Sequence, residues 1–154
     1  MLIRDAMELF TQHLKGTVKK STMKSYGALL ERFRLKFSDH EISVISPEDI
    51  SKFFEECTGG LSRATRHLRY TQVKAFFNYV IESSGLTTKN PCTVGMLMKS
   101  FKNVHHQPRK ILDKETVDEM IFNARGFGDR LILELQARCG LRVGEVLNLR
   151  AADV

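Results

Sequence analysis

The chain has 154 residues, 42% of them hydrophobic, which is enough for a true core and excludes a disordered chain. No apolar run approaches the roughly 18 residues that a membrane span needs, and Met1-Leu2-Ile3-Arg4-Asp5 lacks the basic-then-apolar opening of a signal peptide. The formal net charge of +6 points to a polyanionic partner; residues 1–91 carry +4, residues 92–112 carry +4 without one acid, and residues 113–154 carry −2.

The pattern along the chain is helix after helix. Leu2, Ala6, Leu9, Phe10 and Leu14 recur at helical spacing, with Gly16 as a stop. Ser21 is expected to cap a second helix whose apolar positions are Met23, Tyr26, Leu30, Phe33 and Phe37. Ser46-Pro47-Glu48-Asp49 is a strong helix start, with a capping serine, a proline at the first helical position and an acid to close a capping box. That helix carries Ile50, Phe53 and Phe54 and stops at Gly59-Gly60. A long fourth helix spans about 62–83, with Leu61, Thr65, Leu68, Gln72, Phe76 and Tyr79 as its expected core stripe. Gly85 and Asn90-Pro91 break the chain. Residues 92–112 read as a basic linker holding at most a short helix around Val94 to Phe101. Asp113 caps the next helix, with Val117, Met120 and Ile121 inward, and Gly126 and Gly128 end it. A further helix, about 129–138, carries Leu131, Ile132 and Leu135, and another begins near Val143. The expected fold class is all-α: a first domain at 1–91, the linker at 92–112 and the start of a second domain at 113–154.

Three features can carry chemistry. On the fourth helix Arg63, Arg66, Tyr70 and Lys74 fall on one face at spacings of 3, 4 and 4, with Arg69 at its edge and no acid between Glu56 and Glu82. A row of cations at turn spacing suits a phosphate backbone or a DNA groove; a solvated face is the alternative, but such faces usually mix signs and this one does not. Lys15, Lys19, Lys20 and Lys24 form a second acid-free basic run, which alone is best read as a solvated loop. The third is Cys139-Gly140-Leu141-Arg142-Val143-Gly144-Glu145-Val146-Leu147-Asn148-Leu149-Arg150. Gly140 lets the chain leave one helix in a left-handed conformation, and Arg142 follows just before the next helix N-terminus, where an anion can be held. Glu145, three residues on, can orient it. From residue chemistry alone a surface Arg–Glu pair explains the motif as well.

The stretch from Gly140 to Leu149 resembles the first catalytic-arginine motif of tyrosine site-specific recombinases, the phage-integrase family, and Leu112-Asp113-Lys114-Glu115 resembles the opening of that family's catalytic domain. Ser21-Thr22 with Tyr26 and Phe33, then Ser62, Thr65 and Arg66 with Phe76, Phe77 and Tyr79, then Asn90-Pro91, is similar to the family's N-terminal core-binding domain. The resemblance implies a SAM-like bundle of four to five helices, then a linker and the first helices of a catalytic domain. It implies double-stranded DNA as partner, self-association on DNA in the full-length enzyme, and strand breakage and rejoining through a 3′-phosphotyrosine. Arg142 then becomes a catalytic arginine and Glu145 its supporting acid, while Lys19, Lys20, Lys24, Arg63, Arg66, Arg69, Tyr70 and Lys74 are the expected DNA-contact residues. His105 and His106 do not match the family's HxxR motif, and no tyrosine stands in a nucleophile's context. The chain therefore reads as an inactive piece of a longer enzyme, its expected role DNA integration or, second, chromosome-dimer resolution.

No cofactor is expected, nor a metal: Cys57, Cys92 and Cys139 are odd in number and widely spaced, which fits neither a disulfide framework nor a CxxC site, and implies a reduced cytoplasmic protein. Two other classes stay open from sequence: a stand-alone helical DNA-binding regulator, and a helical module whose basic face meets an acidic protein.

Overall fold

The start of the first helix, α1 (Ile3–Thr17), has no side-chain cap. Its N-terminus is held instead by backbone bonds to the turn after the second helix, Ile3 N–H to the His40 carbonyl at 2.9 Å and Ile42 N–H to the Met1 carbonyl at 3.0 Å. The structure is a computed structural model and describes residues 1–102 and 110–153. Among them there are eight α-helices, two short 3-10 turns and no strand beyond a single bridge between Leu2 and Glu41, so the fold is all-α. No helix among the described residues is long and apolar enough to cross a membrane. The chain divides into two compact units, residues 1–105 and 106–154.

In the first unit α1 turns Ile3, Ala6, Met7, Phe10 and Leu14 inward. The second helix, α2 (Lys20–Phe37), begins earlier than expected: Lys19 holds the N-cap position and offers no acceptor, so Ser21 lies inside the first turn and caps nothing. The third, α3 (Pro47–Thr58), forms as its sequence dictates. Asp49 N–H donates to Ser46 Oγ at 3.1 Å and Ser46 N–H donates back to the Asp49 carboxylate at 3.0 Å, a reciprocal arrangement that satisfies two otherwise orphaned donors. Ser62 caps α4 (Arg63–Ser83) through Thr65 N–H at 3.2 Å. Fully buried Phe33 sits at the centre of the core, edge-on to Phe53 at 5.1 Å, Phe76 at 5.8 Å and Phe77 at 5.9 Å, a geometry that adds quadrupole attraction to the burial itself.

Residues 92–101, expected as the beginning of a linker with at most a short helix around Val94 to Phe101, instead pack into this core. A 3-10 turn at Pro91–Thr93 leads into α5 (Gly95–Ser100), and Cys92, Leu97 and Phe101 are buried. Asn90 anchors the turn. Its amide donates to the Lys74 carbonyl at 3.0 Å and to Asn78 Oδ1 at 2.7 Å, and its Oδ1 accepts Cys92 N–H at 2.8 Å. Within the expected linker, residues 103–109, with His105, His106 and Pro108, lie outside the described residues.

This strap changes the inward face of α4. The buried positions are Tyr70, Gln72, Val73, Phe76, Phe77 and Val80, whereas Leu61 and Leu68 of the expected core stripe are exposed. Tyr70, expected on the cationic face, is only 4% exposed. Its ring stacks on Phe101 at 5.0 Å and 8°, and its hydroxyl donates to the Cys92 carbonyl.

The second unit contains α6 (Lys114–Phe122), α7 (Phe127–Cys139), α8 (Val143–Val146) and a 3-10 turn at Ala151–Asp153. Asp113 caps α6 as expected, accepting Thr116 N–H at 2.7 Å. Arg138 of α7 bridges to Asp118 of α6 and to Glu134. Ile121 and Val146 are buried, but Met120, Leu131, Leu147 and Leu149 are exposed, and Phe127 is 85% exposed. These side chains leave the second unit with a broad apolar surface for its size.

Candidate nucleic-acid interface

Helices α2 and α4 run in the same direction. Ser25 meets Arg69 and Gln72 near their starts, and eight residues further along α2, Phe33 meets Phe76 and Phe77. Both N-termini therefore lie at one end of the bundle. The partial positive charge of two helix starts adds there to the side-chain charge of Lys19, Lys20, Lys24 and Arg63, all exposed.

Arg69 ties the two helices together. Its guanidinium donates to the Ser25 carbonyl and, at 3.1 Å, to Gln72 Oε1, while Gln72 Nε2 donates to Ser25 Oγ at 2.9 Å. Beside this lock runs an open groove of about 450 Å³, lined by Ser21, Thr22, Ser25, Leu68 and Thr71 among others. Short hydroxyl side chains between flanking cations are the donor set that phosphate oxygens and base edges take. No acid stands in α2 before Glu31 or in α4 before Glu82.

The expected contact residues thus separate. Lys19, Lys20, Lys24 and Arg63 are free to meet a ligand. Arg69 and Lys74 are half-buried, Arg69 in the lock just described. Arg66 is half-buried with its guanidinium over the Phe101 ring at 5.5 Å. Tyr70 is withdrawn into the core, where burial pushes its phenol above the ordinary value. Sequence reasoning missed Ser25, Leu68 and Thr71. The signal for Ser25 was present, since Ser21, Thr22 and Ser25 with Lys24 make a wholly polar helical face.

In the second unit Gly140 ends α7 with φ +67°, a conformation that costs other L-residues strain. Arg142 follows at the N-cap of α8. Glu145 takes its backbone N–H at 2.7 Å and its guanidinium at 3.1 Å. The acid therefore fixes the start of the arginine side chain and its tip together. The side chain of Arg142 remains 86% exposed, so its other donors face solvent.

The profile of the phage integrase N-terminal SAM-like domain matches residues 7–83, half of the chain. A tyrosine recombinase of Thermosipho africanus (strain TCF52B) is 29% identical over 162 aligned positions, covering 96% of this chain and 54% of the relative. A provisionally named tyrosine recombinase of Caldanaerobacter subterraneus subsp. tengcongensis is 25% identical, covering 94% of this chain and 52% of the relative. The chain thus spans about half the length of the curated relatives it matches. No solved structure matches it. The matched segment takes in most of α1 and the whole of α2, α3 and α4, with the groove-forming pair α2 and α4 among them, and with it the chain belongs to the tyrosine recombinase, or phage integrase, family.

Proposed function

We propose that the chain grips duplex DNA for a site-specific recombinase, with the first unit laying the α2–α4 groove against the DNA. The observation that carries this reading is the co-location of two helix N-termini, the free cations Lys19, Lys20, Lys24 and Arg63, and a hydroxyl-lined groove, on two half-helices without an acid. A mixed-sign surface would suit a protein partner equally well; a single-sign one favours a polyanion. Residues 113–154 are then the opening of the catalytic domain. Arg142, held by Glu145, is positioned to stabilise charge on a scissile phosphate as strands break and rejoin through a phosphotyrosine. Self-association on DNA belongs to the same proposal.

The test is binding of a labelled duplex followed by fluorescence anisotropy. Charge reversal at Lys20, Lys24 and Arg63 is expected to weaken binding, with the salt slope falling by about one unit for each phosphate that is no longer neutralised. Lys114→Glu, in the second unit, serves as control. Equal weakening in the control and the triple variant, or none in either, overturns the groove as the DNA-binding surface.

A further inference from the structure

Arg66 stands apart from the other cations of the first unit. No carboxylate pairs with it among the described residues, and its Nε is buried without a hydrogen-bond partner. Its guanidinium lies over the ring of Phe101 at 5.5 Å. Two aromatic rings pack on it, and a hydrogen bond holds its backbone. Tyr70 stacks on it at 5.0 Å, Phe54 packs at 4.9 Å, and the Phe101 carbonyl is bonded to His67 Nδ1 at 2.5 Å. Phe101 terminates the strap fixed at its other end by Asn90. An arginine held by an aromatic face rather than by an acid keeps its full charge and its forked donors for a ligand, with little rotamer freedom left to lose.

We propose that Phe101 is a positioning residue for DNA binding: its ring aims the Arg66 guanidinium at a backbone phosphate. The inference rests on the DNA-gripping reading above and extends it to a residue outside the α2–α4 groove. Arg66 supplies the charge, and Phe101, which carries none, sets where the charge stands. The strap is thereby tied to DNA binding, because a phosphate that holds Arg66 on the ring also stabilises strap docking, and the linkage is reciprocal.

The experiment uses the 154-residue chain and a labelled random-sequence duplex, with affinity measured across a salt series. Arg66→Gln is expected to weaken binding roughly three- to tenfold and to lower the salt slope by about one unit. Phe101→Leu should do the same although it removes no charge, and the double variant should be no weaker than Arg66→Gln. Phe101→Tyr, which keeps the ring, should bind like the wild type. Arg66→Lys keeps the charge but not the planar stack and should lose most of what Arg66→Gln loses; this holds whether or not Phe101→Leu folds. Wild-type affinity in Arg66→Lys, or additive weakening in the double variant, overturns the role of the ring. Wild-type affinity in Arg66→Gln overturns Arg66 as a phosphate ligand. Absence of salt-dependent binding in the wild type sinks the DNA-gripping reading itself, which the charge reversals at Lys20, Lys24 and Arg63 test separately.

Discussion

Tyr70→Phe separates a buried structural tyrosine from a DNA-contacting one. The substitution keeps the ring that stacks on Phe101 and deletes only the hydroxyl, whose single described role is donation to the Cys92 carbonyl. Cys92 is fully buried, so no water replaces the missing donor. A buried carbonyl left without its partner costs about 1–3 kcal/mol. In a unit of this size each kcal/mol lowers Tm by roughly 4–8 °C, so a fall of about 4–24 °C is expected in the first unit's transition, followed by circular dichroism or calorimetry. Duplex affinity measured well below that transition should be unchanged, because the hydroxyl does not reach the surface. An unchanged Tm with weakened DNA binding would refute the reasoning and return Tyr70 to the DNA-binding surface.

Ser46→Ala removes the α3 capping box and should cost about 1 kcal/mol in the first unit's melt. The Ser46 hydrogen bonds hold the Asp49 carboxyl below its ordinary value of 3.8. Its contribution is therefore complete at neutral pH and lost as the pH falls below about 4, and Asp49→Asn should flatten the acid limb of a stability-against-pH curve. Burial pushes the Cys92 thiol up to about 12, whereas Cys139 is exposed; at pH 8 iodoacetamide should label Cys139 in the native chain and reach Cys92 only after denaturation, as mass spectrometry would show. Gly140→Ala places a Cβ at φ +67°, which should cost about 1–2 kcal/mol of the second unit's stability by thermal melt.

The helices are legible in the sequence where a local device defines them. Ser46-Pro47-Glu48-Asp49, Asp113 and Gly140 each announce a boundary through a cap that needs no tertiary partner, and the structure places all three as expected. The orientation of α4 is not legible, for one reason with two consequences. Residues 92–101 have too little periodicity to read as core, so they read as linker. Without them, the face bearing Arg66 and Tyr70 has nothing to pack against and reads as open to solvent. Once Cys92, Leu97 and Phe101 close over it, Tyr70 is buried, Arg66 becomes half-buried, and Leu68 rotates out to 48% exposure beside the groove. Arg142 and Glu145 are legible as a pair because three residues on a helix start bring them together. That one carboxylate grips both ends of the arginine needs the three-dimensional arrangement.

The N-terminal halves of α2 and α4 are proposed as the surface that meets DNA. Hydrogen exchange of the 154-residue chain with and without a duplex tests it most directly. Slowed exchange on adding DNA is expected in residues 20–29 and 63–71, and in the strap at 91–101, with the outer face of α1 unaffected. Protection confined to α1 and α3, or to the second unit, would contradict it.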